Sequence, residues 1–249
     1  MKNQEVNTRV KSFLSDVPLF SALPEQDVDT LLKFSHLREY KKGEYLYRQN
    51  DEADRLSIVR NGWIRLYRGN ADGEEGAIQL YARGDILGER SVLPGSLKHF
   101  FSAQAIGDSL VVNIPASVMK EVARNNPLII GKMMQGLIDK MGKLHVENEH
   151  MALLSASQRV ACLLLRLSAH MTGKGGTFTF PYDKSTAAAH LGMKRETFSR
   201  ALACLRRHGV SCGGSEVVID NFVRLSESCC TRCSLNTECR GARCMKVPS

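Results

Sequence analysis

No stretch of this chain is long and apolar enough to cross a bilayer. The longest uncharged run that reads as apolar, Ser109 to Met119, falls well short of the roughly 20 residues a spanning helix needs. The opening residues, Met1 to Asp16, interleave Lys2, Glu5, Arg9, Lys11 and Asp16 and carry no apolar heart of a signal peptide. A cytoplasmic protein without membrane partners is expected. Cysteine is missing before Cys162, although the chain has eight, five of them between Cys229 and Cys244. Net charge is missing from the front as well. Met1 to Leu154 holds 20 Lys/Arg against 20 Asp/Glu, and the rest holds 14 against 6, so the whole excess of +8 sits in the last third. Concentrated basic charge suits a polyanion, because neutralised phosphates release their counterions; a solvated basic surface is the plainer alternative. In a cytosolic protein the crowded cysteines suggest metal ligation more than a structural disulfide. With 43% hydrophobic and 24% charged residues, a disordered chain is excluded.

What is present divides by period. Pro24 to Leu37 has helical spacing, with Val28, Leu31, Leu32 and Leu37 apolar. From about Tyr40 to Pro115, short β-branched and aromatic runs (Tyr45–Tyr47, Leu56–Val59, Trp63–Tyr67, Ala77–Leu80) alternate with turn signals at Lys42-Gly43, Asn61-Gly62, Asp72-Gly73 and Arg83-Gly84-Asp85. Such spacing predicts a small barrel or jelly roll. After Pro127, the residues Ile130, Met134, Leu137, Met141, Leu144, Asn148 and Met151 recur at alternating steps of four and three. That is the seam of a two-stranded coiled coil, in which a single Asn favours one register. An amphipathic helix packed on its own domain would give the same pattern.

Beyond Leu153 a compact α/β domain follows, opening with a helix over Gln158–Ala169 whose Val160, Leu163, Leu164 and Leu167 share a side. Asp183 to Gly192 reads as a short helix with an Asp183 cap and a glycine stop. After Met193-Lys194 a second helix is expected from Arg195 to His208, closed by Gly209. Two short helices around a glycine-containing turn outline a helix-turn-helix. Phe198, Leu202 and Leu205 fall on its core side; Glu196, Ser199, Arg200, Ala203 and Arg207 fall on the other. A recognition helix would present such a face to the major groove. Arg200 suits guanine O6 and N7, Glu196 a cytosine amine, and Ser199 either. Lys184, Lys194, Arg195 and Arg206 suit phosphates. Val217-Val218-Ile219, after Cys212-Gly213-Gly214-Ser215, predicts a two-stranded wing.

The string Arg195-Glu196-Thr197-Phe198-Ser199-Arg200 resembles the recognition-helix core of the CRP/FNR regulators, and Glu196, Ser199 and Arg200 match the base-reading trio of the FNR branch. The resemblance covers almost the whole chain. It implies an α+β architecture of a cyclic-nucleotide-binding-type β-roll, a long dimerisation helix and a winged helix-turn-helix. Written as segments, these are 1–126, 127–154 and 155–227, with a cysteine-rich tail at 228–249. It implies a non-enzymatic homodimer on a palindromic operator of the TTGAT…ATCAA kind, working with RNA polymerase. Lys194 departs from the family, which usually offers a Ser or Thr cap there. In relatives that bind cyclic AMP, a Gly-Glu pair and a downstream Arg-Ser grip the nucleotide. Here Gly88-Glu89 remain, but His99-Phe100 stand at the Arg-Ser positions. A neutral His beside an aromatic ring is a poor cradle for a cyclic phosphate, so no cyclic nucleotide is expected.

The tail holds a C-x2-C-x5-C-x4-C core at Cys230, Cys233, Cys239 and Cys244, with Cys229 as a substitute at one end. Its first spacing is similar to that of the FNR oxygen sensor, whose cysteines lie elsewhere in the chain; some relatives carry the cluster at the C-terminus. A four-iron four-sulfur cluster held by these four thiolates, reporting oxygen, nitric oxide or redox state, is therefore expected. The alternative is a regulator responsive to a cyclic nucleotide or another small effector, its tail holding zinc or forming a disulfide switch. An iron-sulfur DNA glycosylase is the remote one, disfavoured because Val223 stands where its first cysteine would be. Cys162 and Cys204, both in expected helices, are read as buried small hydrophobes.

Overall fold

The computed structural model describes residues 10–21, 23–69, 75–95, 97–172 and 176–229, and for 75–78 the backbone alone. The cysteine tail from Cys230 onward lies outside these. Two compact units divide the chain at Lys140/Met141. Among the described residues, no helix is long and apolar enough to cross a membrane.

The first unit begins with a helix over 10–16 (α1) and α2, Glu25–Phe34. Helix α2 stops at Ser35, whose backbone is extended, so Leu37 belongs to a strand and not, as its spacing suggested, to the helix. The strands are β1 (His36–Tyr40), β2 (Tyr45–Tyr47), β3 (Arg55–Asn61), β4 (Ile64–Gly69), β5 (Glu75–Tyr81), β6 (Ile86–Leu87), β7 (Ser102–Ala105) and β8 (Ser109–Pro115). They form two antiparallel four-stranded sheets, ordered β1-β8-β3-β6 and β2-β7-β4-β5. This is the expected β-roll.

Side-chain alternation gives the roll two cores. Leu56 and Ile58 of β3, with Val112 and Ile114 of β8, face α1, α2 and α3 (Ala116–Asn125), where Phe13, Leu14, Leu31 and Met119 bury against them. Val59 and Val111, one residue out of phase, join Tyr40, Ile64, Leu87 and Ala103 in the second core. A polar pair fixes the register. Ser57 and Asn113 are paired across β3 and β8, and the buried Ser57 hydroxyl donates to Asn113 Oδ1 at 2.7 Å. Sliding β3 by one residue would orphan both groups in an apolar interior.

Helix α4 runs from Leu128 to Leu153, with Pro127 just ahead of its first turn. The second unit contains its C-terminal half, α5 (Ala156–Met171), β9 (Gly176–Thr179), α6 (Lys184–His190), α7 (Arg195–Cys204), β10 (Val210–Gly213), β11 (Glu216–Ile219) and α8 (Phe222–Cys229). Ser155 starts α5 with a full capping box, exchanging bonds with Gln158. Strand β9 adds to the expected wing, giving a three-stranded sheet in the order β10-β11-β9. Gly214, at φ +63, opens its two-residue turn.

Gly88, beside the retained Glu89, leaves no room for a side chain. Its φ is +81, and a Cβ there would lie 2.5 Å from the carbonyl oxygen of Arg55. Gly88→Ala is expected to cost more than about 1 kcal/mol, through both strain and clash. A urea-unfolding midpoint equal to that of the parent protein would show that the β3 backbone moves aside at no cost.

Candidate nucleic-acid interface

Helix α6 begins where Asp183 Oδ1 accepts from the Thr186 N–H at 2.7 Å, and it ends at Leu191 and Gly192, the latter at φ +61. Arg159 of α5 donates to the Leu191 carbonyl at 2.8 Å, which ties the turn to the domain core. Lys194 stands at the N-cap of α7 with no side-chain cap, in line with its departure from the family pattern. Helix α7 is shorter than its periodicity suggests. It ends at Cys204, and Leu205–His208 tighten into a 3-10 turn that Gly209 closes at φ +78. Last turns commonly tighten this way, because i→i+3 bonds satisfy otherwise orphaned carbonyls.

Phe198, Ala201, Leu202 and Leu205 are buried. Phe180, which stands 6.3 Å from Phe198 edge-on, also meets Phe178 and Tyr182. The opposite face leaves Lys194, Arg195, Glu196, Ser199, Arg200, Ala203, Arg206 and Arg207 exposed, and Lys184 half-buried. Lys184, Ser199 and Arg206 converge on one cleft with Cys212; Glu196 and Arg200 lie outside it. Burial pushes the Cys212 thiol up, opposed by the positive charge of Lys184 and Arg206. Sequence reasoning had no role for Cys212, and nothing but its nearness in space to the two cations marks it. Cys204 is exposed, against expectation. It follows Arg200 by four residues and therefore shares the outward face. Cys162 is buried as expected.

The other predicted residues fall in different places. Ile130, Met134, Leu137, Met141, Leu144, Asn148 and Met151 are all exposed along α4. Cys230, Cys233, Cys239 and Cys244 lie outside the described residues, and among those described no cluster of His, Cys, Asp or Glu could hold a metal. Cys229 is buried, its Sγ 3.7 Å from the carbonyls of Leu225 and Ser226.

In the roll, His99 is buried and stacked on Tyr47 at 3.5 Å, and its Nε2 has no hydrogen-bond partner. Burial lowers its pKa. Phe100 is exposed beneath the Arg90 guanidinium at 3.8 Å. Glu89 pairs with Lys140 of α4, whose ammonium also donates to the Ile86 carbonyl at 2.6 Å. Nothing in the spacing of the sequence announced that pair, which joins residues far apart in the chain.

Residues 37–126 match the cyclic nucleotide-binding domain family, and 158–228 match the Crp-like helix-turn-helix domain family. The cyclic AMP receptor protein of Thermus thermophilus is 30% identical over 193 residues, 78% of this chain and 87% of its own. The fumarate and nitrate reduction regulatory protein of Escherichia coli is 26% identical, over 82% of this chain and 83% of its own. Among solved structures, a regulatory protein from Silicibacter pomeroyi is 31% identical with a TM-score of 0.65, covering 87% of this chain and 96% of that one. FixK2 from Bradyrhizobium japonicum, at 24% identity, shares the fold with a TM-score of 0.69, over 78% and 97%.

Burial also lowers the pKa of His150, with Arg166 adding to the effect. The buried histidines His99 and His150 resist protonation in the folded chain at a pH where the unfolded chain takes up protons. Their contribution is complete above the ordinary value of 6.5 and is lost as pH falls through it toward the folded values. The urea midpoint should therefore drop between pH 7.5 and pH 5.5, and His99→Gln with His150→Gln should flatten that drop. An unchanged slope in the double variant would refute the assignment.

Proposed function

The chain belongs to the CRP/FNR family of DNA-binding transcription regulators, and from that premise we propose that it acts as a homodimer on a palindromic operator, under control of a metal cluster in its tail. The observation that carries the first part is the two-sidedness of α7. With Phe198, Ala201 and Leu202 held in the core, Arg195, Glu196, Ser199 and Arg200 project together from the first turns of the helix. A groove-reading helix needs this arrangement. Arg200 reads guanine, Glu196 a cytosine amine and Ser199 an adjacent edge, while Lys184, Lys194, Arg195 and Arg206 hold phosphates.

The exposed seam from Ile130 to Met151 favours pairing with a second copy, because six of its seven residues are apolar side chains left in water. A two-fold pair of recognition helices then matches a palindrome. RNA polymerase is the expected protein partner, by family alone.

The roll favours a scaffold role. A cyclic phosphate needs a permanent cation with bidentate donors, whereas His99 is neutral and stacked, and Glu89 is engaged by Lys140. For the tail, the four thiols at Cys230, Cys233, Cys239 and Cys244 form the soft donor set that an iron-sulfur cluster takes. Cys229 is turned back onto α8, which favours Cys230 as the first ligand. A four-iron four-sulfur cluster supplies an oxygen- and redox-labile centre, and its gain or loss would change operator affinity. Zinc in the same thiolates is the second reading, favoured by the same donor set.

Footprinting on an operator tests the groove assignment. Arg200→Ala should cost about 1–3 kcal/mol and relax preference at one base pair, while Lys184→Ala should weaken all sequences alike and reduce the salt slope by about one. Unchanged affinity and preference in Arg200→Ala would discard it. For the tail, protein purified without air should absorb in the visible and contain iron, and Cys233→Ser should lose both while sedimenting as a dimer. Zinc in place of iron would transfer the site to the second reading.

A further inference from the structure

The last turns of α4, one side of α5 and the end of α6 enclose a small cavity. Glu147 and His150 of α4, Arg159, Cys162 and Arg166 of α5, and His190 of α6 line it. The three α5 residues follow at steps of three and four and so share a face. His150, Cys162 and His190 are buried, whereas Met151, which also lines the space, is exposed, so the cavity reaches the surface. It has room for about one water-sized group. Cys162 Sγ stands 4.0 Å from His150 Nδ1. Each arginine is anchored through its Nη1, Arg159 to the Leu191 carbonyl at 2.8 Å and Arg166 to Glu147 Oε1 at 3.4 Å. In both, the Nε is buried with no hydrogen-bond partner.

Two buried donors without acceptors, on residues that share a cavity with a thiol, mark a place for an oxygen that reduced sulfur does not carry. Desolvation works against the charge of Arg166, yet a thiolate at Cys162 and the Glu147 carboxylate raise its pKa overall. By reciprocity the guanidinium favours the thiolate. We propose that Cys162 is a peroxide-oxidisable thiol whose sulfenate is received by Arg159 and Arg166, and that its oxidation loosens the helix-turn-helix. His150 accepts the thiol proton at Nδ1, and the thiolate sulfur attacks one oxygen of hydrogen peroxide. The S–O bond forms as the O–O bond breaks; the hydroxide released takes the imidazolium proton and leaves as water. Sulfur is thereby oxidised by two electrons and the peroxide reduced. The new oxygen accepts from the two Nε atoms and draws Arg159 away from the Leu191 carbonyl, the bond that ties the turn between α6 and α7 to α5. The effect on operator affinity rests on the groove reading of α7; the oxidation does not.

Sulfenate trapping with dimedone on the full reduced chain, after a pulse of hydrogen peroxide, tests it by peptide mass spectrometry. Cys162 should label ahead of Cys204, although Cys204 is the exposed thiol, and His150→Gln should slow that labelling by roughly tenfold or more. Peroxide should lower operator affinity about fivefold further in the parent than in Cys162→Ser, the equivalent of one ordinary hydrogen bond. Labelling that follows exposure, with Cys204 first, overturns the proposal, as does an unchanged rate in His150→Gln. Labelled Cys162 with the same affinity loss in parent and Cys162→Ser overturns the coupling to the turn. A reduced parent that binds no operator sinks the groove reading instead, and the order of labelling still decides the thiol chemistry.

Discussion

The burial of Phe198 governs what the second unit can present to DNA. Its ring is fully enclosed, edge-on to Phe180, which in turn meets Phe178 and Tyr182 on either side. An aromatic side chain of this size gains roughly 1.5–3 kcal/mol by leaving water, more than any exposed residue of α7 contributes to folding. The rotation of the helix about its axis is therefore set from the inside. At 3.6 residues per turn, fixing 198, 202 and 205 inward leaves 195, 196, 199, 200 and 203 outward. Those outward positions contribute little to folding, so residues can change there without loss of the fold. Asp183 and Arg159 act at the other end of the motif. One starts α6 and the other bonds the turn carbonyl of Leu191, so the angle between the helices is held by groups away from the exposed face of α7.

How much of this was legible in the sequence depended on whether the signal was local. Periods of two and of 3.6, glycines at turns and the Asp183 cap are local, and they gave the roll strands, the long helix and the helix pair. Leu37 was misplaced because an apolar residue three past the end of α2 fits helical and strand phase alike; the extended backbone at Ser35 decides between them. For Cys204 the average habit of the residue type, burial, conflicts with its helical phase, which groups it with Arg200, and the phase prevails. Contacts between distant segments left no trace. Lys140 with Glu89, Arg90 over Phe100 and the convergence of Lys184, Arg206 and Cys212 depend on tertiary packing that no spacing encodes.

In the roll, two polar side chains near the Gly88 turn meet other groups of the chain itself. Gly88 retains the left-handed backbone that brings it against the Arg55 carbonyl, so the turn is intact. Yet Glu89 faces Lys140, and His99 stacks on Tyr47. Replacing a guanidinium by a buried imidazole removes the permanent charge and also the fork of donors that would meet phosphate oxygens. One of these internal contacts, through Lys140, reaches α4.

Among the described residues, helix α4 carries most of the large hydrophobic side chains left exposed. A 26-residue helix is about 39 Å long, and its seam leaves Ile130, Met134, Leu137, Met141, Leu144 and Met151 in water, while Ile129 on another face is fully buried. Helix propensity alone would not maintain such a length against solvent, since most helical stability in proteins comes from packing an apolar face. Asn148 sharpens the point. Within an apolar seam it is the one position whose amide needs a partner, and an identical amide across a two-fold axis satisfies it in a single register. The same step of four and three that lines up the methionines would align the two copies, so pairing and register would follow from one face of one helix.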